Sequence, residues 1–236
     1  MPKKQVRRTE KRILRRPRSA KPADIYELKI TLRGSKPPIW RSVAVPSYIR
    51  LSDLHKVIQT GFGWDNYHLH QFIVPNVRTK PTREKLVSLE WRGRYERLAM
   101  HRDRCVSDPR FELEDIEDER KVRLCELAPA VTSKFIYEYD FGDGWEHEIK
   151  VVKIGLPVEG IKYPVCLSGE LACPPEDCGG IWGYYEKLEI LKNPKQRDYK
   201  DILEWMPRGF SPEYFDIGKV NAELAKIWSG KSRLGH

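Results

Sequence analysis

Two stretches of this chain carry most of the side chains that could do chemistry. The first is the segment 173–180, with the sequence Cys-Pro-Pro-Glu-Asp-Cys-Gly-Gly. Its prolines restrict the backbone and its glycines permit positive φ angles, so these residue types predict a loop of defined shape. The second is the segment 140–147, with the sequence Asp-Phe-Gly-Asp-Gly-Trp-Glu-His. We expect the loop to matter for function if it folds against this second segment and encloses a metal or a substrate.

One hypothesis is an acidic pocket for phosphoester chemistry, because carboxylates and a histidine can hold a divalent ion or act as general acid and base. The candidate catalytic residues are Asp140, Asp143, His147, Glu176 and Asp177. The competing interpretation is structural, and we favour it. Asp143 would shape its turn, and Glu176 or Asp177 would accept hydrogen bonds from the first amides of a helix that starts near Gly180.

A second hypothesis is a tetrahedral zinc site, since thiolates and imidazoles are preferred zinc ligands. The candidate ligands are Cys166, Cys173, Cys178 and His147. Six and four residues separate the successive cysteines, whereas structural zinc sites use short Cys-x-x-Cys knuckles. The cysteines therefore also fit buried small apolar side chains, which we favour. We expect His55, His68 and His70 to be ordinary hydrogen-bonded side chains and not ligands.

The basic charge of the chain is concentrated at its start. Residues 1–21 hold ten basic side chains against Glu10, a net +9, which equals the +9 of all 236 residues. This segment has few large apolar side chains, so we expect residues 1–22 to be a disordered basic arm. Such an arm binds DNA or RNA phosphates by counterion release, and a solubilising tail is the alternative. The candidate nucleic-acid-binding residues are Lys3, Lys4, Arg7, Arg8, Lys11, Arg12, Arg15, Arg16 and Arg18.

Length and composition limit the class of protein. A chain of 236 residues that is 40% hydrophobic supports one substantial core. No apolar run approaches the about 18 residues of a membrane span, and the arginine-rich start lacks the apolar segment of a secretory signal. We therefore expect a cytoplasmic protein without a membrane partner. Its five cysteines then predict reduced thiols or metal ligands instead of a disulfide framework.

The hydrophobic periodicity predicts a single α+β domain over 23–230, with helices packed on a mixed, mostly antiparallel sheet. We expect Ser52 or Asp53 to cap the first helix and Gly63 to end it. The region 75–127 is interpreted as a variable surface insertion, with a solvated acidic face. The predicted strands cover 25–33, 39–45, 68–74, 134–140 and 145–154, and the later helices cover 181–191, 199–206 and 215–228.

Several motifs in this order resemble the plasmid pRiA ORF-three-like family. They are Ile39-Trp40-Arg41, the segments 51–59, 62–64, 68–72 and 137–149, and the Pro-Pro-Glu-Asp-Cys-Gly-Gly loop. The resemblance covers about residues 24–230, leaves the arm outside and matches the insertion poorly. It implies a stand-alone α+β protein of bacteria or archaea, often found on plasmids or beside transposons. The family has no settled biochemical function, so the resemblance implies a fold and a genomic setting but no chemistry.

Some members of this family are labelled TnpR-like resolvases, which would require a nucleophilic serine. The segment 48–52, Tyr-Ile-Arg-Leu-Ser, fits the short Tyr-x-Arg-x-Ser pattern of serine recombinases. That pattern should directly follow a strand of a parallel sheet, whereas here Pro46 and a predicted hairpin precede it. Ser52 is better explained as a helix cap. We therefore expect a binding or accessory protein associated with mobile elements or nucleic acid, and the alternative is a metal-dependent hydrolase or nuclease.

Overall fold

The computed structural model describes residues 24–75, 104–111 and 116–229. The predictions for the basic arm over residues 1–22 lie outside these ranges. So do the predictions for residues 76–103 and 112–115 of the insertion. The described residues form one eight-stranded sheet with five α-helices. This architecture confirms the predicted α+β class.

The strands are β1 (Ile25–Leu32), β2 (Trp40–Pro46), β3 (His70–Val74), β4 (Arg104–Ser107), β5 (Glu117–Asp118), β6 (Lys134–Tyr139), β7 (Trp145–Gly155) and β8 (Val165–Glu170). Their order across the sheet is β5-β4-β3-β6-β7-β1-β2-β8. The pair β4 and β5 is parallel, and the other neighbouring pairs are antiparallel. The sheet is therefore mixed and mostly antiparallel, as predicted.

The helices are α1 (Leu51–Phe62), α2 (Leu124–Leu127), α3 (Gly180–Leu191), α4 (Tyr199–Trp205) and α5 (Ile217–Ser229), with a 3-10 turn at Pro109–Phe111. The predicted boundaries of α3, α4 and α5 agree with these to within about two residues. None of the helices in the described ranges is long and apolar enough to cross a membrane.

The hydrophobic core lies between the sheet and the apolar face of α1. Alternate residues of β1 are buried, and so are the α1 residues that recur at helical spacing. The predicted pairing of the first two strands is confirmed, because Leu28 lies opposite Val43. The predicted hairpin is also confirmed, because Tyr139 lies opposite Trp145 at its closed end. This hairpin holds the turn 140–144 at a fixed place beside the core.

Two expectations for α1 had different outcomes. Gly63 ends the helix as predicted, in a left-handed conformation with φ of 82°, and its amide donates to the carbonyl of Gln59. The capping prediction is wrong, because the helix begins at Leu51 and Arg50 occupies the N-cap without a side-chain hydrogen bond. Ser52 and Asp53 thus lie inside the first turn, past the position from which a side chain can cap it.

The expectation of a surface insertion does not hold for its described part. Residues 104–107 form β4, which pairs with β3, and Val106 is fully buried. Glu119, expected on a solvated acidic face, is buried and accepts a 2.8 Å hydrogen bond from His70 Nε2. Strand β4 could not be recognised from the sequence, because it is only four residues long and shows too little alternation of apolar and polar residues.

Candidate metal centre

Three loops meet at one end of the sheet, and we call residues 65–68, 140–143 and 176–179 the loop junction. The amide of Asp140 donates to the carbonyl of Leu69 at 2.8 Å, which joins the first two loops. The amide of Gly179 donates to Asp143 Oδ2 at 3.1 Å, which joins the second and third. The Pro-Pro-Glu-Asp loop therefore does fold against the hairpin turn.

At the junction, His68, Asp140 and Asp177 each bring one potential ligand atom to within 4.8 Å of the others. His68 Nε2 lies 3.8 Å from Asp140 Oδ2 and 3.3 Å from Asp177 Oδ1. The first separation is too long for a hydrogen bond, and the second is longer than a good charge-assisted one. Ligands of one ion with bonds of 2.0–2.2 Å lie about 3.0–3.4 Å apart, so the spacing approaches that of a metal site.

The two carboxylates differ in their surroundings. The Asp140 side chain is only 10% exposed, and its Oδ1 accepts hydrogen bonds from the amides of Gly142 and Asp143. Its other oxygen, Oδ2, is the one that faces His68. The Asp177 side chain is 73% exposed. One ligand is thus fixed by the backbone, and the other leaves one side of the cluster open to water.

Both carboxylates lie on a backbone conformation that non-glycine residues rarely adopt. Asp140 has φ of 54° and Asp177 has φ of 57°, and Asn66, in the first loop, has φ of 62°. Left-handed conformations of this kind cost free energy, although aspartate and asparagine tolerate them better than most residues. The hydrogen bonds that join the loops hold these conformations in place.

Tyr139 and Glu176 connect the loop 65–68 to the loop 176–179 through hydrogen bonds. The Tyr139 hydroxyl accepts a hydrogen bond from the amide of Tyr67 at 3.0 Å and donates to Glu176 Oε1. Glu176 Oε2 in turn accepts from the amide of Asp65 at 3.0 Å. Burial and the hydrogen bond to Glu176 raise the pKa of Tyr139, so the hydroxyl keeps its proton. Glu176 is therefore occupied in holding the loop that carries His68.

A close backbone approach completes the junction. A Cβ atom on Gly180 would lie 2.4 Å from the carbonyl oxygen of Asp143, and Gly180 has φ of 68°. Glycine is therefore the residue type that fits where α3 begins against the hairpin turn.

The N-cap of α3 is Gly179, and no side chain caps the helix. The expected capping by Glu176 or Asp177 is wrong, because these carboxylates face Tyr139 and His68 instead. The turn itself is shaped by Asp140, and not by Asp143 as expected.

His147, the predicted general base, lies away from the junction. It is fully buried, its Nδ1 is 3.3 Å from the carbonyl oxygen of Tyr137, and its ring contacts Phe62 and Trp64 edge to face. Burial lowers its pKa to about 3, so the ring stays neutral. Its position inside the core separates it from Asp140 and Asp177, which the structure does bring together.

The four predicted zinc ligands do not form a group in the described part of the chain, where His68, Asp140 and Asp177 are the three residues gathered at ligand distance. Cys166 and Cys178 are buried thiols whose Sγ atoms contact backbone carbonyls. Burial raises the pKa of Cys178 to about 12 and that of Cys173 well above its usual value. The five cysteines all lie in the described ranges, and none of them forms a disulfide. These thiols pack as small apolar side chains, as the spacing favoured.

The sequence interpretation missed His68, which it treated as an ordinary hydrogen-bonded histidine within a strand. The strand starts at His70, so His68 belongs to the loop before it. The preceding Asp65-Asn66-Tyr67 run is turn chemistry and was the available signal. Side chains on loops held by a rigid scaffold are more often functional than side chains within a strand.

A cavity of about 610 Å³ opens beside the junction, with Trp64, Asp65 and Glu176 on its wall. Its floor includes Arg41, a buried guanidinium that donates to the carbonyls of Gly61, Glu170 and Leu171, among others. Burial lowers the pKa of Arg41. These carbonyls accept the hydrogen bonds of the guanidinium, so Arg41 joins α1 to β8. The cavity is a concave surface next to the loop junction.

Two proteins similar to this chain are described as uncharacterized or of unknown function. Uncharacterized protein y4hQ of Sinorhizobium fredii (strain NBRC 101917 / NGR234) is 34% identical over 216 residues, which are 89% of this chain and 97% of that protein. The crystal structure of a protein of unknown function, MM3350 from Methanosarcina mazei Go1, is also 34% identical. It matches with a TM-score of 0.67 and covers 83% of this chain and 96% of its own. The profile of the plasmid pRiA4b ORF-3-like proteins matches residues 24–219. The sequence resemblance is thus confirmed, and this chain belongs to the plasmid pRiA4b ORF-3-like protein family.

Proposed function

We propose that this chain binds one divalent cation through His68, Asp140 and Asp177 and uses the bound ion to hydrolyse phosphoesters. The observation that carries the proposal is the gathering of one imidazole nitrogen and two carboxylate oxygens within 4.8 Å. Mixed nitrogen and oxygen ligands suit zinc and manganese better than calcium, which takes six to eight oxygens.

The number of ligands and their exposure support catalysis over a purely structural ion. Structural zinc sites have four protein ligands, whereas catalytic sites have three and leave a position for water. The exposed side of the cluster, at Asp177, provides such a position. An ion held by His68, Asp140 and Asp177 would lower the pKa of a bound water and stabilise the charge that develops on a phosphoryl oxygen.

The first test is cation binding, measured by titration calorimetry with Mn²⁺ and with Zn²⁺. We expect one site, and we expect Asp140→Asn to weaken it at least about tenfold because the buried ligand loses its charge. Asp201→Asn, which removes an exposed carboxylate from α4, is the matched control and should bind as the unchanged protein does. Equal affinities in the two variants would exclude this centre.

The second test is turnover of bis(4-nitrophenyl) phosphate with Mn²⁺ present and with the ion chelated. Hydrolysis that needs the ion and falls in Asp140→Asn supports the hydrolase. Cation binding without any turnover contradicts it and leaves a cation-binding protein.

A second candidate function follows from the charge distribution. Ten of the 43 basic side chains fall within residues 1–21, and the rest of the chain is neutral in sum. We infer an accessory role in which these residues hold DNA or RNA without reading its sequence. Deletion of residues 1–21 should then abolish the salt-dependent binding of duplex DNA. Cation-dependent turnover that survives the deletion assigns the hydrolase to the folded domain.

A further inference from the structure

Two aromatic side chains, one in the loop junction and one in the first turn of α3, are almost entirely exposed. Tyr67 is 81% exposed and Trp182 is 85% exposed, the highest values among the large apolar side chains of the described ranges. A single exposed aromatic residue is ordinary on a protein surface. Two such rings, one on a junction loop and one at the start of the adjoining helix α3, beside a cluster of potential metal ligands, suggest a binding surface.

The backbone of both residues is fixed. Tyr67 directly precedes His68, and its amide donates to the buried hydroxyl of Tyr139 at 3.0 Å. Trp182 lies in the first turn of α3, two residues after Gly180, which packs against the carbonyl of Asp143. Helical side chains lean towards the N-terminus of their helix, which here is the loop junction. The backbones of both residues therefore adjoin the cluster, one in the loop 65–68 and one in the first turn of α3, and need no rearrangement to bind.

The negative charge of the junction disfavours some ligands and leaves others possible. Around His68 the junction carries five carboxylates, Asp65, Asp140, Asp143, Glu176 and Asp177. These would repel a phosphate unless a cation at His68, Asp140 and Asp177 attracts it. A flat aromatic ring, in contrast, binds any nucleobase by stacking on its face. Bases inside a duplex are already stacked on each other, so free faces occur in single strands.

We propose that the junction binds single-stranded nucleic acid, with a phosphate on the cation and neighbouring bases stacked on Tyr67 and Trp182. This inference rests on the proposed cation site and names the substrate class for it. The bases provide contacts that do not depend on sequence, because every base has a π face. Duplex DNA would reach the protein through the basic segment 1–21 alone.

The test is fluorescence anisotropy of a labelled ten-nucleotide oligothymidylate with the full chain and Mn²⁺. We expect Trp182→Ala and Tyr67→Ala each to weaken binding about tenfold, the loss of one stacked base. Tyr48→Ala, which removes another exposed aromatic ring at 51% exposure, is the control and should change nothing. An abasic strand with the same phosphates should bind the unchanged protein about as weakly as the double variant binds oligothymidylate.

Calorimetry with Mn²⁺ separates the two proposals. Both aromatic variants should keep the Mn²⁺ affinity of the unchanged protein, because neither side chain is a ligand. Equal oligothymidylate affinities in Trp182→Ala, Tyr67→Ala and Tyr48→Ala would overturn the stacking surface even if Mn²⁺ binds. Oligothymidylate binding that depends on both rings and persists unchanged without any cation would overturn the cation site and support the stacking surface.

Discussion

Histidines occur in two contrasting regions of this protein. In the buried histidine cluster, formed by His55, His70 and His147 around Tyr137, each ring has a protein neighbour at short range. His55 Nδ1 lies 2.7 Å from the Tyr137 hydroxyl, and the rings of His55 and His70 stack at 3.6 Å. At the loop junction, His68 faces two carboxylates at 3.3 and 3.8 Å and one side is open to water.

The difference shows how surroundings decide what an imidazole can do. In the cluster, burial lowers the pKa of His55 and His147 and keeps these two rings neutral, while Tyr137 and Glu119 each engage one ring nitrogen, of His55 and His70 respectively. At the junction, two carboxylates face His68 and one side of the cluster is open to water, as a cation and its substrate require. We therefore propose that the buried histidine cluster serves stability and that the junction serves binding, and the following predictions test that division.

The largest expected effect is a loss of stability in acid that originates in the cluster. Burial lowers the pKa of His55 and of His147 to about 3 from an ordinary value of about 6.5. Between these values the unfolded chain binds more protons, so the free energy of unfolding falls as the pH drops below about 6.5. From about pH 7 to pH 5, each histidine should remove about 2 kcal/mol, measured by urea unfolding.

The variant His147→Leu is the control for this pH effect. It should lose about half of the histidine contribution to the pH dependence and keep its Mn²⁺ affinity, because the ring is neutral and buried away from the junction. A fall in Mn²⁺ affinity would assign His147 to the metal centre after all and would break the division between the two regions.

A somewhat smaller effect is expected for Glu119→Ala. Its carboxylate is buried against His70 Nε2 at 2.8 Å, so the variant leaves a buried ring nitrogen without its partner. The expected loss is about 2–3 kcal/mol, measured by urea unfolding. Glu117→Ala is the matched control, because its ion pair with Arg104 is about half exposed and should contribute less than about 1 kcal/mol. Similar losses in both variants would contradict a special role for the buried pair.

Gly180→Ala acts on the junction and should reduce both stability and Mn²⁺ affinity. The left-handed φ costs about 1 kcal/mol, and the new Cβ would displace α3 from the carbonyl of Asp143. Because Asp177 moves with this loop, Mn²⁺ affinity should fall by about tenfold. Gly209→Ala has a similar φ of 76° with no atom within 4 Å of its Cβ, so it should lose stability and keep Mn²⁺ affinity. Equal Mn²⁺ affinities would show that the close approach does not position Asp177.

Much of the fold could be predicted, because periodic burial is a local property. The alternation of β1, the glycine turn of the hairpin and the Gly63 helix end all follow from residues within one turn or strand of each other. The four-residue strand β4 and the burial of Glu119 could not be predicted, because each depends on a partner distant in sequence. Of the candidate site residues, the sequence identified Asp140 and Asp177 and overlooked His68.

The sequence by itself determined the family, the mostly antiparallel α+β fold, the concentration of charge in residues 1–21 and the rigid Pro-Pro-Glu-Asp loop. These follow from residue types and short-range spacing, which every copy of the chain carries before folding. The tertiary structure alone decided that His147 lies in the core and His68 at the junction. Burial and proximity arise when segments more than 30 residues apart, at 68, 140 and 177, pack against one scaffold.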